Sequence, residues 1–261
     1  ISQFLALPES TQSKHARANA LKAALNLLLI QGENAEADRL ADEGMALFRE
    51  LSDKTGMAWV LVSKGWNLMG EANEAESLIA ESLVLFREVV DQRGMGMALW
   101  LLSAFKQRQG GLSEAAAMLE EGTIALQAVG DDALAGQLYE SLGYVYLISG
   151  DTARAIELLS QAVTLCREGG DEDGACNTLI TLAWASLVQG DIERAASQLE
   201  ESEAWYRQFQ LPTRLVNLLS ELGYVRHLQG DEDAATALFH EAMILYQQQQ
   251  RTWGLIKSLE L

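Results

Sequence analysis

Aromatic and amide side chains recur at fixed intervals in the second half of this chain of 261 residues. Tyr144, Trp184 and Tyr224 follow one another at 40-residue intervals, and Asn177 and Asn217 stand seven residues before the last two rings. Amides hydrogen-bond polar groups while rings cover apolar faces, a combination suited to a peptide backbone or a sugar-like small molecule. The alternative is structural, because Tyr and Trp also pack between helices with their polar tips in water.

A second group of candidate residues lies in the first half of the chain. Trp100 adds a fourth ring, and Lys22, Lys64 and Arg108 would form a positive patch on which an anionic group of a ligand could dock. We therefore predict one recognition surface made of rings, amides and cations. Its residues are Trp100, Tyr144, Trp184, Tyr224, Asn177, Asn217, Lys64 and Arg108.

Catalytic and metal chemistry find little support. Cys166 and Cys176 are ten residues apart and could form a redox pair, but Cys166 occupies a position taken by large apolar residues elsewhere in the chain, which favours packing. None of the histidines, His15, His227 and His240, has a second His or Cys at metal-ligand spacing. We expect no enzyme activity, no catalytic residue, no metal site and no cofactor.

Paired glutamates are the remaining candidates for acid and base chemistry. Glu120-Glu121 and Glu200-Glu201 stand at equivalent places in the chain, so both pairs indicate a solvated outer face. An acid and base couple would need two different environments.

A repeat of about 40 residues positions all of these side chains. Six glycines mark it at intervals of 38, 40, 40, 40 and 40 residues: Gly32, Gly70, Gly110, Gly150, Gly190 and Gly230. The fifth residue after each glycine is alanine: Ala37, Ala75, Ala115, Ala155, Ala195 and Ala235. The twelfth is always small: Gly44, Ser82, Gly122, Ala162, Ser202 and Ala242. Small residues at fixed places allow helices to approach closely.

Each repeat is predicted to be a pair of helices. Over residues 151–168 the apolar residues are three or four apart, which predicts an amphipathic helix. Gly169 and Gly170 interrupt the pattern, and the next helix is predicted from about Ala175 to Gln189. Asp191 then caps the helix that follows Gly190.

The pattern resembles the tetratricopeptide repeat. In the fourth unit the matching residues are Tyr139, Leu142, Gly143, Tyr146, Ala155, Leu159 and Ala162. The family has a usual period of 34 residues and a proline that is missing here, so the chain resembles a long-repeat subclass. The segments 47–53 and 85–91 are similar to repeats in bacterial signal-transduction ATPases with numerous domains (STAND), many of them transcription regulators.

The resemblance implies an all-α fold, an α-solenoid of helix-turn-helix repeats wound as a right-handed superhelix, with the first helices lining a concave groove. We expect residues 1–11 to be the remnant of a preceding helix and linker, 12–252 to form six helix pairs, and 253–261 to be the truncated first helix of a seventh repeat. In the STAND proteins such an array senses an inducer or acts as a scaffold beside a nucleotide-binding switch. No phosphate-loop motif occurs in this chain.

The composition sets the class of partner. A net charge of −18 and a pI near 4.5 disfavour nucleic acid and anionic membranes, and favour basic or neutral partners. No apolar run is long enough to span a membrane, and two cysteines do not make a disulfide framework, so a cytoplasmic protein is expected. Because the chain starts at Ile1 and stops in a helical pattern, we expect a longer parent with an ATPase switch domain.

Two functions follow from the sequence. One is a sensor module that recognises a small inducer or a peptide in its groove and acts on an attached ATPase. The other is a scaffold for protein interaction without a sensing role.

Overall fold

The computed structural model describes residues 13–31, 34–68, 70 and 72–259, and the regular elements in these ranges are α-helices arranged in six consecutive pairs. The first helices of the pairs are α1 (Lys14–Gln31), α3 (Lys54–Asn67), α5 (Gln92–Arg108), α7 (Asp132–Ile148), α9 (Glu172–Val188) and α11 (Pro212–Leu228). The second helices are α2 (Asn34–Glu50), α4 (Ala72–Val89), α6 (Leu112–Gln127), α8 (Thr152–Glu168), α10 (Ile192–Gln208) and α12 (Glu232–Leu259).

Aspartates begin many of these helices, and a left-handed residue follows most helix ends. The side chain of Asp171 accepts a hydrogen bond from the backbone N–H of Gly174 at 2.9 Å, and Asp151 caps α8 in the same way. Gly150 and Gly190 have φ of +89° and +82°, which reverses the chain after α7 and α9. The turns predicted from the Gly-Asp pairs are confirmed at these positions.

The small residues lie where helices touch. Ala115, Ala155 and Ala195 are fully buried, as predicted. A Cβ added at Gly143 would lie 2.6 Å from Cγ of Leu159 and 3.3 Å from the carbonyl oxygen of Ala155, so a larger residue would force α7 and α8 apart.

Cys166 occupies a packing position. It is fully buried, as are Phe86, Leu126 and Tyr206, three of the residues predicted to share its register. In the last helix the equivalent Tyr246 is exposed.

Arginine and glutamate join successive second helices. A guanidinium nitrogen of Arg87 in α4 donates to Glu121 in α6 at 2.6 Å, and Arg207 in α10 donates to both carboxylate oxygens of Glu241 in α12 at 2.7 and 2.8 Å. Arg167 pairs with Glu201 at the same separation of 34 residues. The acidic pairs are therefore on an exposed face, as predicted, but Glu121 and Glu201 also hold an arginine of the preceding repeat.

The helices fall into two compact units. Unit 1 is Ile1–Leu134 and unit 2 is Ala135–Leu261. Each has its own apolar core: Phe86, Leu99 and Phe105 belong to a cluster of unit 1, and Leu199 and Leu218 to one of unit 2.

The all-α solenoid of helix-turn-helix repeats is confirmed, and the described residues contain no strand. The hand of the superhelix stays a prediction. The predicted remnant at residues 1–11 lies outside the described residues. Helix α12 is continuous from Glu232 to Leu259, so no turn marks the predicted boundary between residues 252 and 253, and that boundary also stays a prediction. Within the described residues, none of the helices combines the length and apolarity needed to cross a bilayer.

Candidate functional site

Three first helices of unit 2 have the same sequence of side-chain types along one side. Along each helix an amide is followed seven residues later by a ring and eleven residues later by an aliphatic side chain, which is a spacing of two and three helical turns. We call these residues, with the polar positions between them, the unit 2 face. Its repeated members are Gln137, Tyr144 and Ile148 in α7, Asn177, Trp184 and Val188 in α9, and Asn217, Tyr224 and Leu228 in α11.

The opposite side of each helix is in the core, which fixes the direction of the exposed side. In α9 the buried residues include Ala175, Leu179, Leu182 and Ser186, at helical spacing. Trp184 lies between these positions and points away from the core. Local periodicity alone therefore presents one ring of each first helix to solvent.

The rings of the unit 2 face are accessible to solvent. Tyr144, Trp184 and Tyr224 expose 45%, 41% and 42% of their surface. The rings of Trp184 and Tyr224 stack, with centroids 6.1 Å apart and an interplanar angle of 22°. This stacking aligns two ring systems from successive repeats and leaves much of both open to a ligand.

The amide side chains of the unit 2 face differ in their hydrogen bonding. The side chain of Gln137 donates to Asp171 Oδ2 at 3.1 Å and so ties α7 to the start of α9. Asn177 and Asn217 are exposed, and in the described part of the chain neither side chain makes a hydrogen bond to another protein group. Their amides are available to a partner.

Two partly buried carboxylates lie within this face. Thr181 Oγ1 in α9 donates to Glu140 Oε1 in α7 at 2.9 Å. Burial raises the pKa of Glu140 above its ordinary value, against a smaller opposing effect of the hydrogen bonds from Thr181 and Ser141. Burial also raises the pKa of Glu221 in α11. The sequence analysis did not select either residue. For Glu140 the available signal was a glutamate at a repeat position that holds Val60 and Ile180 in other first helices.

The other three predicted site residues belong to unit 1. Trp100 is half-buried against the core, and its ring lies 6.4 Å from that of Trp66, which is 49% exposed. Lys64 Nζ is 2.7 Å from Asp42 Oδ1, and the guanidinium of Arg108 lies 4.7 Å from the centre of the Phe105 ring.

Among the described residues of unit 1 the exposed ring is thus Trp66, which the sequence analysis missed. The charge of Lys64 is balanced within unit 1, so the predicted positive patch has less free charge than its residues suggested.

The cysteines and histidines are poorly placed for nucleophilic catalysis or metal binding. Burial raises the pKa of both Cys166 and Cys176 to about 11, so neither thiol is activated as a thiolate. His227 Nδ1 lies 2.8 Å from Glu232. Across the ranges that the structure describes, no three His, Cys, Asp or Glu residues are grouped so as to hold a metal ion.

A comparison of the amino-acid sequence with models of protein families supports the repeat architecture. Residues 133–208 match the family model described as tetratricopeptide repeat. That segment resembles the tetratricopeptide repeat, and the described residues of the chain have the fold of an all-α solenoid of helix-turn-helix repeats. This match covers α7 to α10, which include Tyr144 and Trp184 of the unit 2 face. No curated protein matches the chain.

Solved structures share the fold of the array. BtubC (BKLC) from P. vanneervenii is 18% identical with a TM-score of 0.71, and the alignment covers 84% of this chain and 92% of that protein. The apo form of RapI is 11% identical with a TM-score of 0.70 and coverage of 92% and 87%.

A signal transduction ATPase with numerous domains from Pyrococcus horikoshii, described as having a tetratricopeptide repeat sensor, is 14% identical with a TM-score of 0.71. The alignment covers 99% of this chain but only 40% of that protein. Identities this low show a common fold.

Proposed function

We propose that the array is a binding module for a peptide or a protein, and that the unit 2 face is its recognition surface. The observation that carries this proposal is the exposure of Tyr144, Trp184 and Tyr224 at equivalent positions of three consecutive first helices. Keeping three large rings in water costs free energy unless a partner covers them. Aromatic residues are also the type most often found at the centre of binding interfaces.

An extended polypeptide fits the repetition of this face better than a compact small molecule does. The exposed amides of Asn177 and Asn217 recur once per repeat, beside the rings, and can hydrogen-bond successive peptide groups. Trp184 and Tyr224 then cover the side chains between those groups.

Both cysteines are free and buried, so we place the module in a reducing compartment such as the cytoplasm.

The matched experiment removes one exposed ring from each unit. A library of random peptides is selected against the protein, and the binders are titrated against Trp184→Ala and Trp66→Ala. Because both tryptophans expose a similar fraction of their surface, Trp66→Ala controls for the loss of any exposed indole. We expect weaker binding in Trp184→Ala only. Peptides that bind both variants with the affinity of the parent would place recognition elsewhere on the protein.

A second candidate is a sensor role in a larger ATPase, with a small inducer or a peptide as the signal and an ATPase switch as the partner in the same parent chain. It is favoured by the fold shared over 99% of this chain with a STAND protein that has a tetratricopeptide repeat sensor. The sequence encoded beside this array in the natural gene would distinguish a sensor from a scaffold. A phosphate loop encoded beside this array, with ATP hydrolysis that changes when a selected peptide is added, would support sensing, and an unrelated neighbouring domain would support a scaffold.

A further inference from the structure

The unit 2 face lacks a positive charge of its own. Helices α7 and α9 contain the carboxylates Asp132, Glu140, Glu172 and Asp173 and no Lys, Arg or His. The charged side chains that these two helices themselves offer to a ligand are therefore all acidic.

The cations of α11 are already engaged. Arg214 donates to Asp173 at 2.5 Å, and Arg226 pairs with Glu200 of α10. His227 faces Glu232. Helix α11 therefore adds no free cation to the face within the described residues.

Glu140 and Glu221 differ from the acids of the second helices. Glu201 and Glu241 each hold an arginine, whereas no described cation pairs with either Glu140 or Glu221. A partly buried carboxylate without a counter-ion is costly, because burial removes water from the charge. The raised pKa of both groups expresses that cost. The missing element at both positions is a cation.

The rings stand close to these carboxylates along each helix. Tyr144 is one turn beyond Glu140, and Tyr224 is three residues beyond Glu221, so ring and carboxylate share one side of the helix. Trp184 is three residues beyond Thr181, the donor to Glu140. Aromatic faces attract ammonium and guanidinium groups, and a nearby carboxylate adds direct charge pairing.

We propose that the unit 2 face binds a basic peptide segment, with one Lys or Arg side chain paired to Glu140 beside Tyr144 and Trp184, and a second paired to Glu221 beside Tyr224. This inference rests on the proposed function, since it names the chemistry of the peptide that the face recognises. The net charge of −18 attracts such a segment over a distance, and the two carboxylates hold it at short range.

The experiment compares two double variants with equal changes in charge. Fluorescein-labelled oligolysine and oligoglutamate are titrated against the parent, against Glu140→Gln with Glu221→Gln, and against Glu157→Gln with Glu168→Gln. Glu157 and Glu168 are exposed on the second helix α8, so the second pair of changes controls for net charge. Circular dichroism and thermal melting check that each variant is folded.

We expect oligolysine to bind and oligoglutamate not to bind. Loss of the two face carboxylates is expected to weaken oligolysine about tenfold, as removal of charged hydrogen-bond acceptors does. The α8 pair is expected to change its affinity less than about twofold, since exposed charges contribute little. An equal loss in both double variants would show diffuse attraction to an acidic protein and overturn the inference. Spermine binding with the same dependence and affinity would replace the peptide by a small organic cation.

The random-peptide selection separates this inference from the proposed function. Selected peptides that depend on Trp184 and carry Lys or Arg support both. Peptides that depend on Trp184 but carry no basic residue would leave the proposed function standing and refute the basic ligand. If no selected peptide depends on Trp184, both are wrong.

Discussion

The two units share a framework and differ on the exposed side of their first helices. At the register of Asn177 and Asn217 unit 1 has Asn19 in α1 but Met57 and Met97 in α3 and α5. At the register of the three exposed rings it has Asn26, Lys64 and Ala104, none of them aromatic, and the lysine is paired with Asp42. The second helices show no such difference, because Arg-to-Glu pairs of the same spacing occur in both units.

The comparison separates two requirements on one repeat. Positions that join helices keep the same residue types in both units: Ala115 and Ala195 are fully buried alanines. Positions that face solvent are free to vary between repeats, so agreement among three of them in unit 2 calls for an explanation outside the fold. A ligand supplies that explanation.

The largest effects are expected where the units are alike. Ala115→Leu in α6 and Ala195→Leu in α10 insert a large side chain at a filled contact, and each should lower the free energy of unfolding by roughly 1–3 kcal/mol. Glu200→Ala is the control, since it removes only an exposed ion pair with Arg226 and should cost less than about 1 kcal/mol. Thermal melting measures all three. Melting of either leucine variant at the parent temperature would show that the repeat register is wrong in that unit.

The next effect should be confined to unit 2. Trp184→Ala is expected to weaken a selected peptide by about 2 kcal/mol, roughly thirtyfold, if the ring is a central contact. Trp66→Ala in unit 1 should leave affinity unchanged. Isothermal titration with the same peptide measures both.

A second variant of unit 2 guards against a ring that only supports its neighbour. Trp184 stacks on Tyr224, so its loss could act through that residue. Tyr144→Ala with Trp184→Ala removes rings from two helices and should abolish binding while the helical circular dichroism signal stays. Normal affinity in this folded double variant would move the site off the unit 2 face.

The sequence was sufficient to predict the features that depend on the register within one repeat. The glycine spacing predicted the turns at Gly150 and Gly190, and the alanine column predicted the buried helix contacts, because one register applies to every repeat. The exposure of Tyr144 followed from the same register. These are local consequences of helical periodicity.

The sequence was not sufficient where a property depends on a neighbouring repeat. The hydrogen bond to Glu140 comes from Thr181 in the next first helix, and the pairing of Glu121 depends on Arg87 in the preceding repeat. Trp100 was predicted to face a ligand but is half-buried, with Trp66 more exposed beside it. The packing angle between helices decides such cases, and it is not encoded in the spacing alone.

The turns after the second helices offer a smaller test of the shared framework. Unit 1 has Val90 at φ +56° where unit 2 has Gly170 at φ +75°. Left-handed backbone is unfavourable for a β-branched residue, and the Val90 side chain is exposed, so it gains little from packing. Val90→Gly should therefore stabilise the protein by about 1 kcal/mol.

The reciprocal change belongs to the same test. Gly170→Ala should destabilise by about 1 kcal/mol, because alanine gains no contact there and pays the backbone cost. Shifts of roughly 2–4 °C in melting temperature, opposite in sign, are expected. Shifts of the same sign would mean that the two turns are not equivalent.

The smallest effect concerns the stability of the unit 2 face and its dependence on pH. Because burial raises the pKa of Glu140, the folded protein binds this proton more tightly than the unfolded chain does. The ionised carboxylate thus lowers stability above the folded pKa, and the cost disappears as pH falls below the unfolded value, near pH 4. Glu140→Gln should raise the melting temperature at pH 7, since the amide oxygen can still accept from Thr181.

The advantage of Glu140→Gln should shrink as the pH is lowered towards 4, where both side chains are neutral. Glu157→Gln removes an exposed charge and is expected to show a smaller gain at pH 7. A Glu140→Gln variant no more stable than the parent at pH 7 would show that this carboxylate is well solvated. It would then need no cation, and the contrast between the unit 2 face and the Arg-paired second helices would lose its electrostatic basis. If Glu140→Gln melts above the parent at pH 7 and a bound basic peptide removes this difference, the peptide supplies the counter-ion of Glu140.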